Sequence, residues 1–202
     1  MHIPIVYPQL QTSADMLKST IRLETVIPFL KEQRAEACAI VNSKLYGLLP
    51  FFSEMQKAGI HPVIGLHNVV RFEDELRLPF IVYAKNELGY KHVLKISSAS
   101  AIRKEEDIPF KWLNGYKEGL YCIIPMNEEG GIWFEHVQEL RQLREVFGAS
   151  LLLGWNRQRV RDLEPELEQL ANELSVPIMA LHHCTFLKKE DHFSYEVARS
   201  ID

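Results

Sequence analysis

The chain has 202 residues, 47% of them hydrophobic and 25% charged. A chain of this length removes roughly 70% of its unfolded surface from water, so a full core needs no disulfide or metal staples. With 23 basic against 27 acidic residues the net charge is -4, which gives no basic face of the kind autonomous nucleic-acid binding requires.

The first predicted strand is IPIV (3–6), running into YPQLQTS (7–13). There Tyr7, Gln9 and Gln11 alternate with Pro8 and Leu10, a period of two that lines one strand face with hydrogen-bonding side chains. A helix is expected over 21–35, with Ile21, Val26, Phe29 and Leu30 on one face and Pro28 restricting its start or kinking it. ACAIVN (37–42) is the second strand, followed by a helix over 46–59 that ends in Gly59 as a C-cap. HPVIGLHNV (61–69) is the third strand and FIVYAK (80–85) the fourth, the latter followed by a buried helix over 86–100. SSASAIRKEEDIPFKWLNGY (97–116) reads as an irregular insertion.

LYCIIP (120–125) is the fifth strand, and Val137, Leu140, Leu143, Val146 and Phe147 make the next helix (136–148) amphipathic. SLLLGW (150–155) precedes a helix over 164–175, and PIMALH (177–182) precedes a last one over 190–202. Seven strand–helix units with near-continuous apolar strands predict a parallel sheet covered on both faces, either a closed barrel or an open doubly wound sheet. No Gly-rich phosphate loop follows any strand, which weakens a nucleotide-binding version of the open sheet.

Cys38, Cys122 and Cys184 are odd in number and widely spaced, which reads as buried thiols in a reducing compartment rather than a disulfide frame or zinc knuckle. There is no basic leader followed by an apolar stretch and no apolar run of membrane-spanning length, so a cytoplasmic protein with no membrane partner is expected. The basic cluster NRQRVR (156–161) reads as a solvated loop or helix start.

In barrels and open parallel sheets alike, chemistry sits at the C-terminal strand ends. Those ends carry Gln9 and Gln11; Asn42 and Ser43; His67 and Asn68; Met126 and Asn127; Asn156 and Arg157; and His182, His183 and Thr185. The set is polar but mostly uncharged, whereas a multinuclear metal site needs several carboxylates and imidazoles.

Three segments carry a family resemblance: LYGLLPFFSEMQKAGIHPVIGL (45–66), LPFIVYAKNELGYKHVLKISSAS (78–100) and ELSVPIMALHHCTFLKKEDHFSYEVARSI (173–201). The chain resembles, over essentially its whole length, the PHP (polymerase and histidinol phosphatase) domain at the N-terminus of bacterial DNA polymerase III alpha subunits. More specifically, it resembles the short, exonuclease-lacking alpha subunits of low-GC Gram-positive bacteria. The resemblance implies a distorted seven-stranded β/α barrel formed by 1–202 as a single PHP domain of a longer polymerase subunit. Active members carry a first-strand H-x-H motif, which falls here on Gln9 and Gln11, with Tyr7 where a further histidine often precedes. The second-strand Asp-His pair falls on Asn42 and Ser43, the third-strand glutamate on His67, and the last-strand Asp-x-His on His183 and Thr185. Each matched position has lost or exchanged its ligand type, so the resemblance implies a degenerate metal site.

The plainer readings are these. Gln9 and Gln11 satisfy each other and nearby backbone in a polar mouth. Asn42 and Ser43 form a strand-end turn. Asp15 and Ser13 are either acid–base groups or, more often, helix N-caps. His67, His182 and His183 are structural rather than a replacement single-metal site. Trp112, Trp133, Trp155 and Tyr116 are core or interface packing, with Trp133, if exposed, a docking anchor.

The expected function is a non-catalytic PHP module of a DNA polymerase III alpha subunit. It would bind no cofactor, and its partners are the subunit's other domains and replisome proteins. The polymerase active site itself lies outside these residues. ARSID, which stops inside a helical pattern, fits a segment of a longer protein. The alternative is a PHP-type phosphoesterase using Zn or Mn, acting as a 3′–5′ exonuclease or pyrophosphatase. A third reading is a free-standing binder of a small phosphorylated ligand through Arg157 or Arg159.

Overall fold

A computed structural model describes residues 4–73, 75–103, 106–126, 131–156 and 163–201. In chain order the elements are β1 (Ile5–Leu10), α1 (Leu23–Glu32), β2 (Ala35–Asn42), α2 (Leu48–Lys57), β3 (His61–Arg71), β4 (Arg77–Ala84), α3 (Glu87–Ala101), β5 (Asp107–Pro109) and α4 (Phe110–Tyr116). They continue with β6 (Leu120–Pro125), α5 (Val137–Phe147), β7 (Leu151–Trp155), α6 (Glu164–Leu174), β8 (Ile178–Ala180), β9 (His183–Cys184) and α7 (His192–Arg199). The chain divides into two compact units, Met1–Leu66 with His182–Asp202, and His67–Leu181.

In the first unit the strand order is β3-β2-β1-β9, all parallel. Val26 and Leu30 of α1 and Leu48, Phe51 and Met55 of α2 are buried, the three- and four-residue spacings of an apolar helix stripe. Pro28 lies inside α1, which continues to Glu32. Gly59 ends α2 as expected. At φ +76° its N–H donates to the Gln56 carbonyl while Ile60 N–H reaches back to Met55, a turn that β-carbon sterics disfavour in other residues. β1 departs from simple alternation. Tyr7 pairs with Cys38 and Leu10 with Ile40, so three steps of β1 span two of β2. That extra residue is a bulge, and it breaks the one-face pattern expected for Tyr7, Gln9 and Gln11.

In the second unit the order is β8-β7-β6-β4, and β5 pairs in parallel with Val69–Arg71 of β3. β4 and β6 run antiparallel, Ile81 opposite Ile123 and Tyr83 opposite Tyr121, which corrects the all-parallel expectation. A strand buried on both faces shows the same apolar run whichever way its neighbour points, so the pattern does not encode direction. Among the described residues no helix separates β3 from β4, so the strand–helix repeat fails there. The described part of the expected insertion holds regular elements: the end of α3, then β5 and α4. Among the described residues nine strands stand against the expected seven, because β5 is added and the chain after Pro177 pairs twice, β8 with β7 and β9 with β1.

Leu78, Phe80, Ile81, Ile96, Ile108, Leu113 and Trp133 are fully buried in this unit. Trp133 is no docking anchor: its Nε1–H donates to the Pro79 carbonyl at 2.9 Å. Gly89, in the first turn of α3, is required by close approach, since a Cβ there would lie 1.8 Å from the Gly119 carbonyl oxygen. Asp107, with no exposure, accepts from Arg103 Nε at 2.7 Å and lies 3.0 and 3.1 Å from Arg77 and Arg71 Nε. Burial alone would raise its pKa. The hydrogen bonds from Arg103 and Arg77, with the field of Arg71, outweigh burial and hold it below the ordinary carboxylate value.

Candidate functional site

The parallel pairing of β1 with β2 on one side and β9 on the other gathers six of the predicted positions in the first unit: Gln9, Gln11, Asn42, Ser43, His183 and Thr185. Gln9 sits opposite His183 in the register. Gln9, Gln11, Asn42 and Thr185 are buried, while Ser43 and His183 are half-buried.

Asp15 organises the centre. Gln11 Nε2 donates to its Oδ2 at 2.6 Å, Ser43 N–H to the same oxygen at 2.6 Å, and Ser43 Oγ–H to Oδ1 at 2.7 Å. Its carboxylate thereby ties the end of β1 to the end of β2. It is neither an N-cap nor part of a helix: α1 begins only at Leu23 and Asp15 lies in a turn. Gln11 Oε1 meets His183 Nε2 at 2.8 Å. A carboxylate only accepts, so the Gln11 amide nitrogen must face Asp15 and its oxygen must face His183. An amide oxygen also only accepts, so the proton of His183 resides on Nε2.

Asn42 and Thr12 form a reciprocal pair. Thr12 N–H donates to Asn42 Oδ1 at 2.8 Å, and Asn42 Nδ2 donates to Thr12 Oγ1 at 2.9 Å and to the Tyr46 carbonyl at 3.3 Å. The side chain continues the β1–β2 ladder past its last backbone bond, the local role expected of a strand-end Asn. On the other side, Ser19 Oγ lies 2.6 Å from the Gln11 carbonyl and 2.9 Å from that of Thr185, and accepts from Ile21 N–H at 3.1 Å. Gln11 N–H donates to Cys184 O, and Thr20 N–H to Thr185 O, both at 3.0 Å.

Tyr7 lies at the other end of β1, its ring edge-on to Phe29 at 5.9 Å. Burial, with smaller contributions from Cys184 and Cys38, raises its pKa. Burial also raises the Cys38 and Cys184 thiols, the latter to about 11. Cys38, Cys122 and Cys184 are free, the first two buried and the third half-buried.

The remaining candidates lie elsewhere. His182 is exposed between β8 and β9. His67 belongs to the second unit and lies within β3, which runs on to Arg71, so it is not at a strand end as expected. Its neighbour Asn68 is buried, donating to Ser100 Oγ at 2.9 Å. Asn127, Arg157 and Arg159 lie outside the described residues. Among the described residues, no three His, Cys, Asp or Glu side chains group as a metal ion would need, and no helix is long and apolar enough to cross a membrane. The network members missed from the sequence are Thr12 and Ser19, which belong to no motif; Thr12 pairs with the Asn42 side chain and Ser19 acts through backbone partners.

The PHP domain family matches residues 9–175. Among curated relatives, the DNA polymerase III alpha subunit of Halalkalibacterium halodurans is 26% identical over 97% of this chain and 18% of its own length. That of Bacillus subtilis is 26% identical over 97% of this chain and 19% of its own length. That of Staphylococcus epidermidis is 34% identical over 59% of this chain and 11% of its own length. The chain thus spans under a fifth of the length of these relatives. Two solved structures share the fold at TM-score 0.59 and 8% identity. One is a candidate metal-dependent phosphoesterase from Bifidobacterium adolescentis, matched over 98% of this chain and 97% of its own. The other is an amidohydrolase from Chromobacterium violaceum with bound sulfate and no metal, matched over 96% of each chain. The match over most of the chain, on an α/β fold shared with both of these structures, makes this protein a member of the PHP domain family.

Proposed function

We propose that this domain is a non-catalytic module of a DNA polymerase III alpha subunit, stabilising the subunit and docking its other domains and replisome proteins, with no cofactor of its own. The observation that carries this reading is the closed chain His183–Gln11–Asp15–Ser43. The groups at this strand-end cluster do not suit a hydrolytic metal centre. The amides of Gln9, Gln11 and Asn42 bring no charge to offset a divalent ion. Asp15 already has three donors on its two oxygens. The curated relatives supply the polymerase context, since each is named as an alpha subunit.

The test is elemental analysis of the purified protein, together with phosphodiester and 3′–5′ exonuclease assays with added manganese. The expected result is no stoichiometric zinc or manganese, no hydrolysis, and a melting temperature indifferent to EDTA. One or more metal ions per chain, with hydrolysis abolished in His67→Ala or His183→Ala, would overturn the proposal and favour the phosphoesterase reading.

A further inference from the structure

The last helix, α7, has only eight residues, and none of them is buried. An isolated helix shorter than about 12–15 residues is marginal in water, so α7 depends on what it packs against. One side has a partner: Phe186 lies against Tyr195 at 5.6 Å and His192 at 5.4 Å, and Arg199 sits 5.8 Å from the Tyr195 ring. The other side carries Phe193 and Val197, four residues apart and 77% and 45% exposed, and Ile201, 69% exposed, follows in the turn beyond the helix end at Arg199.

The dimensions of the stripe limit its occupant. Eight helical residues span about 12 Å, and a stripe one helix wide over that length falls well short of the roughly 800 Å² per partner of a stable free association. A second copy held by this face alone would not persist. A partner tethered at millimolar effective concentration needs far less area. The alpha-subunit relatives hold more than four-fifths of their length outside the part this chain matches.

On the reading proposed above, we infer that the Phe193–Val197 face of α7, with Ile201 just past its end, is the surface by which this domain docks onto the rest of a polymerase alpha subunit, in an apolar groove that receives these side chains. The groove stabilises α7 as it buries these side chains. Phe193, the largest and most exposed of the three, is the anchor.

Hydrogen exchange of the α7 amides tests this, measured on the 202-residue chain alone and within the alpha-subunit polypeptide of the same cell, as one chain or as an equimolar mixture. The expected slowing is at least about tenfold, the effect of burying one such side chain. It should be lost in the Phe193→Asp/Val197→Asp double variant and kept in Phe193→Leu, with melting temperature and exchange in β2 and β6 unchanged. Equal exchange in both settings, or slowing that survives the double variant, overturns the inference. So does slowing in the chain alone that rises with concentration alongside a dimer mass, which would make a second copy the occupant. Metal content and hydrolysis are read on the same samples. Hydrolysis with α7 protected sinks the non-catalytic reading alone, and metal-free protein with α7 unprotected sinks this inference alone.

Discussion

Asp15→Ala separates a structural network from a metal site by the sign of its effect on stability. In a hydrolytic centre, carboxylates are held close for the ion, and removing one from the metal-free protein relieves repulsion, so stability is unchanged or rises. Here Asp15 is the acceptor for Gln11 Nε2, Ser43 N–H and Ser43 Oγ–H. The hydroxyl can turn to another acceptor, but the two N–H donors are stranded, each at about 1–3 kcal/mol. Gln11 is buried and belongs at the upper end of that range, whereas half-buried Ser43 belongs at the lower. The sum is about 4 kcal/mol, or a fall in melting temperature of about 8–16 °C for a chain of this size. Asp15→Asn should lose much less, about 1 kcal/mol, since the amide oxygen can take both N–H donors and its nitrogen can donate to Ser43 Oγ. Urea and thermal unfolding with EDTA present give both numbers. An Asp15→Ala protein as stable as the parent, or more so, refutes the reasoning.

Two more outcomes follow from the ionisable groups. Asp107 has a depressed folded pKa, so the stability it contributes is present above its unfolded value of about 3.9 and is lost as pH falls through the folded value. Asp107→Asn should therefore lose about 3 kcal/mol at pH 7, the low end for breaking a buried pair because Arg77 is 41% exposed, and should show a flatter stability profile as pH falls below about 4. Identical profiles in urea titrations count against it. Burial holds the Cys184 thiol at about 11, so at pH 8 iodoacetamide should modify it at least about 100-fold more slowly than a free cysteine. Mass spectrometry showing labelling at the free-thiol rate contradicts that assignment.

The apolar runs show where strands and helices lie, but not which way strands point or where they break. LYCIIP coincides with β6, and the i, i+3, i+4 stripe of 136–148 with α5, because burial on one helix face or both sheet faces is written directly in residue type. The antiparallel β4–β6 pair was invisible because its residues satisfy either direction equally. β5, three residues ending in Pro109, is too short to show a period. Asn42 could be read as a strand-end residue from local propensity alone. The link between Asp15 and Ser43 is set by β1–β2 register, with 28 residues of chain between the two, and no local pattern contains it. The β1 bulge moves side chains off the faces that strict alternation assigns. Position matching still brought Gln11 and His183 to the right neighbourhood, but could not supply the direction of the hydrogen bond between them.

The first unit is discontinuous in sequence, and that has a consequence for synthesis. The second neighbour of β1, β9, leaves the ribosome 172 residues after it, measured from Gln11 to His183. At about 5–20 residues per second, one flank of β1 therefore waits roughly 10–30 seconds, its peptide groups open to any passing strand. Pro8, one residue before the segment that β9 pairs, offers no N–H for a foreign ladder to capture.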